Sequence, residues 1–180
     1  MDSAAYSSDA LITFVTFMVA AIAIFTELRM IRAWHGQRLR NLAVAKKLLE
    51  AHFDAAEEFL KDSVPSKEAK KFICYASAVC GRKDVALDFA EFLRRDVSPD
   101  DADGSGKISQ YIEDLKKHRP DLAQLAYTAV STAVAAMILR WPETEDAVVP
   151  LSAAAARLDS SKEFKIQSRG IIRAAQECAA

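Results

Sequence analysis

The chain has 180 residues with 24 Lys and Arg against 25 Asp and Glu, a formal charge of −1. That balance excludes the strong basic field by which nucleic-acid-binding domains hold phosphate, so no nucleic-acid partner is expected. With five Gly and five Pro in an Ala-rich chain, the composition points to helix throughout, and no internal repeat of solenoid length is present.

The first predicted element is residues 10–25, ALITFVTFMVAAIAIF, sixteen residues without a charge. As a helix this run spans about 24 Å, slightly short of the roughly 30 Å hydrocarbon core of a bilayer. Thr26 and Leu28 extend it, and Arg29 and Arg32 can keep their stems in the apolar layer while their charges reach the head groups. Glu27 lies about one turn inside the boundary. Tyr6 and Trp34 fall near the two interfaces, where amphipathic rings are favoured. Tyr6, Arg29, Arg32 and Trp34 are therefore read as the flanks of a membrane anchor.

Asp2 and Asp9 precede the run with no Lys or Arg, while Arg29, Arg32, Arg38, Arg40, Lys46 and Lys47 follow it. Because positive charge stays on the inner side, residues 1–9 are expected outside. Residues 10–35 then form the transmembrane and juxtamembrane helix, and residues 36–180 form an all-helical domain facing cytoplasm, matrix or stroma. The membrane is a bacterial inner membrane or an organelle membrane. Ala21-Ile22-Ala23 has the form of a signal cleavage site, but a secretory signal carries its basic residues ahead of the apolar core, and here they follow it.

Nothing breaks the anchor helix before Gly36. A second helix is predicted over residues 38–63, with Leu42, Ala45, Leu49, His52, Ala56, Phe59 and Leu60 inward and Glu50, Asp54, Glu57, Glu58 and Lys61 wet. Pro65 stops it, and Ser66 caps a third helix over 67–80 carrying Phe72, Ile73, Tyr75, Ala76 and Val79, with Gly81 beyond its end. Residues 84–95 give a fourth helix with Val85, Leu87, Phe89, Phe92 and Leu93 on its apolar face. A fifth starts near Lys107 with Ile108, Tyr111, Ile112 and Leu115 inward.

Residues 122–139 form a second long apolar run, LAQLAYTAVSTAVAAMIL, which has the length of a membrane span and follows Lys116, Lys117 and Arg119. Its Gln124, Tyr127, Thr128, Ser131 and Thr132 and its many alanines equally describe the central helix of a bundle. Trp141-Pro142 ends it, a short acidic piece lies between Pro142 and Pro150, and residues 153–158 make a further turn or two. Ser160 with Glu163 has capping-box spacing for a last helix over 161–178. On that helix Phe164, Ile171, Ala175 and Cys178 form an apolar seam. Lys162, Lys165, Arg169 and Arg173 repeat along the other side, as a solvated face or as a stripe for anionic lipid or an acidic partner.

One string resembles a binding loop. Asp101-Ala102-Asp103-Gly104-Ser105-Gly106-Lys107-Ile108-Ser109 follows the first nine positions of an EF-hand calcium loop, with oxygen ligands at Asp101, Asp103 and Ser105. The closing bidentate carboxylate is missing, because Ile112 occupies its position and Glu113 comes one residue late. The bland reading is a polar linker. Cys74, Cys80 and Cys178 make no C-x-x-C pair and read as three small buried hydrophobes in a reducing compartment. His35, His52 and His118 do not have ligand spacing, and His52 falls on an apolar stripe, where a satisfied core histidine is the usual finding. No P-loop, G-x-G-x-x-G, G-x-S-x-G or E-x-x-H pattern occurs.

The sequence thus predicts an all-α protein: one N-terminal transmembrane helix followed by a helical bundle domain. The expected role is a non-catalytic accessory or assembly subunit of a larger membrane complex, with the bilayer and other membrane subunits as partners and no cofactor. The alternative is a membrane-anchored regulator taking calcium at Asp101, Asp103, Ser105 and Glu113, which a calcium titration by calorimetry would separate.

Overall fold

The computed structural model describes residues 3–94, 106–147 and 160–177. Every element among them is helical: α1 (Ser3–Lys61), α2 (Lys67–Val79), α3 (Lys83–Arg94), α4 (Gly106–His118), α5 (Pro120–Arg140), a 3₁₀-helix (Pro142–Ala147) and α6 (Ser160–Glu177). The chain divides into two compact units, Met1–Arg40 and Asn41–Ala180.

α1 departs from the sequence expectation. It runs unbroken through Gly36, where a boundary between two helices was expected. A single glycine in an exposed helix costs only about 1 kcal/mol relative to alanine, and its neighbours from Ala33 to Leu42 contain no proline, so helical hydrogen bonding continues across it.

In the second unit, the last turns of α1 bury Ala45, His52, Ala55, Ala56 and Phe59. Leu42, expected inward, is 39% exposed, and Leu87, expected on the apolar face of α3, is 37% exposed. On α3 the buried set is Val85, Ala86, Phe89, Ala90 and Phe92. Leu87 sits about 200° round from Val85 at 100° per residue, hence on the wet side.

α2 starts as predicted: the Ser66 hydroxyl accepts from the Ala69 N–H at 3.2 Å. The turn between α1 and α2 is tied from several directions. Asp62 Oδ1 accepts from Val64 N–H at 2.8 Å, and the Tyr111 hydroxyl of α4 accepts from Ser66 N–H at 2.8 Å. Lys70 donates its ammonium to the carbonyls of Leu60 and Asp62 at 3.0 and 2.5 Å, placing a cation at the negative end of α1. Arg119, at the α4–α5 junction, reaches Asp62 at 3.0 Å and Asp121 at 2.7 Å. These two carboxylates raise the Arg119 guanidinium above its ordinary range.

α5 is the core helix of this unit. Ala123, Ala126, Ala129, Val130, Val134, Met137 and Ile138 are buried, and α2, α3, α4 and α6 all pack on it. Alanines on several sides allow those helices to approach closely. Its hydroxyls turn back on their own helix, with Thr132 donating to the Thr128 carbonyl at 2.6 Å. At its end the fully buried Thr144 places its hydroxyl 2.6 Å from the Ile138 carbonyl and 2.8 Å from that of Trp141, which folds the 3₁₀-helix against the α5 terminus. Lys83 to Glu143 at 2.6 Å and Arg94 to Asp146 at 2.6 Å fasten α3 to that helix from the solvent side. Pairs as open to solvent as these contribute little to stability, because water and salt screen them.

Candidate functional site

Two regions stand out chemically, one in each unit. The first is the apolar stretch of α1. Thirteen of the nineteen large apolar side chains exposed among the described residues lie between Ile12 and Trp34, including Phe14 at 64%, Phe17 at 72% and Phe25 at 66%. A surface so apolar is not stable against water, and a contiguous exposed patch of this kind marks a lipid or protein contact. Among the described residues two helices are long and apolar enough to cross a membrane, and they differ in setting. The apolar window of α1 has no buried residue, whereas 61% of that of α5 is buried inside its own unit. α5 thus spends its apolar surface on the core, matching the second of the two readings of residues 122–139.

Within the stretch the backbone is helical throughout and the threonine hydroxyls turn back onto it. The Thr16 hydroxyl donates to the Ile12 carbonyl at 2.8 Å and the Thr26 hydroxyl to that of Ala23 at 2.7 Å, so neither leaves a free donor on the exposed apolar surface. Of the expected flanking residues, Tyr6 is helical; Arg29 and Arg32 are exposed; and Trp34 is half exposed with its ring centroid 4.9 Å from that of His35 in an edge-on contact.

The second region surrounds His52, which is fully buried between α1, α2 and α5. Nδ1 lies 2.7 Å from the Ala129 carbonyl and Nε2 lies 2.8 Å from the Ser77 hydroxyl. A carbonyl only accepts, so Nδ1 carries a proton and donates to it; in the neutral ring Nε2 accepts from Ser77. Ser77 is also 3.0 Å from the Ile73 carbonyl and has one proton for two acceptors. The expected satisfied core histidine is present, and its partner Ser77 carried no signal in the sequence beyond a hydroxyl on the edge of the α2 apolar face.

Burial holds the His52 imidazole below its ordinary range, against a smaller opposing pull from the Ala129 carbonyl. An unfolded histidine titrates near about 6.5, so as pH falls the unfolded chain takes up the proton first. The stability linked to this depressed pKa is complete above about 6.5 and is lost as pH falls through that value toward the folded pKa. Urea midpoints measured from about pH 7.5 to about pH 5.5 should therefore fall more steeply for the native chain than for His52→Gln. Parallel pH profiles for the two would assign the acid sensitivity elsewhere.

Beside His52 an open groove of about 400 Å³ is lined by Phe53, Ala56, Glu57, Leu60, Lys61 and Ser77. Phe53 stands 52% exposed at its rim, and Glu57 pairs with Lys61 across one helical turn at 2.5 Å.

The other sequence candidates fall apart from these regions. Asp101, Asp103 and Ser105 lie outside the described residues. Glu113 is exposed in the second turn of α4, while Ile112, at the position a calcium loop gives to its closing carboxylate, is in the core with 1% exposure. Among the described residues no three His, Cys, Asp or Glu side chains converge as a metal would need. Cys80 is buried as expected, and burial pushes its thiol up; Cys74 is exposed, a correction to the reading of three buried thiols, because six residues place it two-thirds of a turn out of phase with Cys80. Cys178 lies outside the described residues.

On α6 Phe164 and Ile171 are buried as the seam predicts. Of the basic side, Lys165 is half-buried, Arg169 holds its guanidinium 6.0 Å from the Phe92 ring centroid, and Arg173 is exposed. The side chain of Lys162 lies outside the description, as do those of Ala175 and of the Ser160 and Glu163 capping pair. Sequence reasoning also passed over Gly170, buried in the middle of α6 against Phe89 and Phe92. A glycine inside an otherwise good helical pattern was the available signal. Compared with known protein families, curated proteins and solved structures, the chain matches none.

Proposed function

We propose that this chain is a non-catalytic accessory or assembly subunit of a larger membrane complex, anchored by a single transmembrane helix within residues 10–35. Residues 1–9 lie outside, and residues 36–180 form a helical bundle on the cytoplasmic, matrix or stromal side. The observation that carries the reading is the wholly exposed apolar stretch of α1, set beside a second apolar helix that its own unit has already covered. An anchor of this length holds a protein in the bilayer effectively irreversibly, which suits a component that meets its partners there.

The Phe53 groove supplies an apolar surface with an ion pair on its edge, the composition of a modest protein contact rather than of a catalytic pocket. Lys162, Lys165, Arg169 and Arg173 offer a further contact to anionic lipid head groups or an acidic subunit.

The test is to solubilise the native membrane in mild detergent, size the particle that holds this chain, and identify by mass spectrometry what migrates with it. A large particle with membrane proteins in fixed stoichiometry is the expected result. A particle containing this chain alone would remove the accessory-subunit reading.

A further inference from the structure

The anchor carries one acid that its own helix leaves without a partner. In a helix a side chain meets those three and four residues away. For Glu27 these are Ala23, Ile24, Met30 and Ile31, all apolar; for Arg32 they are Leu28, Arg29, His35 and Gly36, none acidic. Neither side chain makes a hydrogen bond or ion pair among the described residues. An ionisable group that close to hydrocarbon is retained where a partner meets it.

This helix is apolar and exposed on every side, and the heptad register that sets Glu27 opposite an Arg32 selects one of its faces. Phe14, Phe17, Ala21, Ile24, Leu28 and Ile31 alternate by three and four, the repeat of a left-handed helix pair. The large members are open: Phe14 64%, Phe17 72%, Ile24 58%, Leu28 49% and Ile31 52%. With these as the a and d positions, Glu27 takes position g and Arg32 the following position e. In a parallel two-stranded pair, g of one helix faces the e five residues on in the other, so Glu27 meets the second copy's Arg32, twice by symmetry. Two copies inserted by the same charge rule enter the membrane in the same direction, and only the parallel pair puts acid against base.

We propose that the anchor is a self-association surface: two copies of this chain pair in parallel along Phe14, Phe17, Ala21, Ile24, Leu28 and Ile31, locked at the inner boundary by reciprocal Glu27–Arg32 pairs. The proposal rests on the reading that this helix crosses the membrane, and it assigns the first subunit contact to a second copy.

The test uses the full chain in its native membrane, with Cys74, Cys80 and Cys178 replaced by alanine and one cysteine introduced at a time. Alkali-resistant retention of each variant in the membrane is scored first, since loss of retention overturns the anchor itself and with it the pairing. Under mild oxidation Ile24→Cys, Leu28→Cys and Ile31→Cys should each give a disulfide dimer several-fold more abundant than Ile22→Cys, Thr26→Cys or Met30→Cys on other faces. Separately, Glu27→Arg and Arg32→Glu should each lower the dimer fraction in detergent by about fivefold or more, and the exchanged pair E27R/R32E should restore it. Cross-links spread evenly round the helix, cross-links to a different protein, or an exchanged pair as weak as the single variants would each overturn the proposal.

Discussion

Substituting arginine for both Val19 and Ile22 is expected to move the chain from the alkali-washed membrane pellet to the soluble fraction. Both residues lie inside the uncharged run, Val19 near its middle and Ile22 three residues before its end, and are exposed, at 61% and 59%. An arginine at the centre of a membrane helix costs about 2.5–3.5 kcal/mol on insertion scales, whereas each Val or Ile contributes only about −0.3 to −0.6. Two such changes together cost roughly 5–7 kcal/mol and exceed what the remaining apolar residues of a sixteen-residue run return. The matched control is Glu50→Arg with Glu68→Arg, both on exposed positions of the second unit, which should leave the chain in the pellet. A double-arginine chain that resists extraction as the native chain does would show that the run is not held in hydrocarbon.

The second large effect lies at Gly170. A methyl built there falls 2.8 Å from Cδ2 of Phe89 and 2.9 Å from Cδ1 of Phe92, closer than carbon atoms pack. The rings have little freedom to yield: Phe89 is fully buried, Phe92 nearly so, and their centroids are 6.1 Å apart. Overpacking of this kind costs about 1–3 kcal/mol, and the better helix propensity of alanine returns at most about 1. Gly170→Ala should therefore lower stability by about 1–2 kcal/mol, read from the urea midpoint, and a larger side chain should lower it further. Gly36→Ala makes the same chemical change where nothing lies within 4 Å, and should leave the midpoint unchanged or raised. A Gly170→Ala chain as stable as the native one would mean that α3 and α6 do not approach as closely as the structure has them.

How far the sequence could be read follows from which interactions are local. The Ser66 cap, the end of α5 before Pro142 and the buried faces of α2 and α4 are set within one or two helical turns, and their residues announce them. Gly36 reads in the sequence as a break, but the cost of one glycine is small beside the hydrogen bonds of a long helix, and α1 runs through it. Leu42 and Leu87 are apolar yet exposed, as leucines often are, and the helical phase sets Leu42 at the margin of the buried face and Leu87 on the wet side.

The tertiary contacts had no local signature. Lys70 is one lysine among several on α2 until the end of α1 is seen beside it. Ser77 and the Ala129 carbonyl meet His52 only through packing across 25 and 77 residues of sequence. The two readings of residues 122–139 were separable only by seeing what surrounds them, since a core helix and a membrane span have the same composition. For the calcium-like string the sequence goes as far as the misplaced Ile112, whose burial in the core is the structural counterpart of that mismatch.

Cys74 gives the most direct test of an anchored chain with its second unit inside. It is exposed on α2, so a chain with Cys80→Ala and Cys178→Ala carries a single accessible thiol there. In sealed, right-side-out vesicles of the native membrane, a membrane-impermeant maleimide should leave Cys74 unlabelled until the vesicles are permeabilised. A companion chain with Cys74→Ala as well and a new thiol at Ser3→Cys should label at once. Labelling of Cys74 in intact vesicles, or recovery of the chain outside the membrane altogether, would contradict the account.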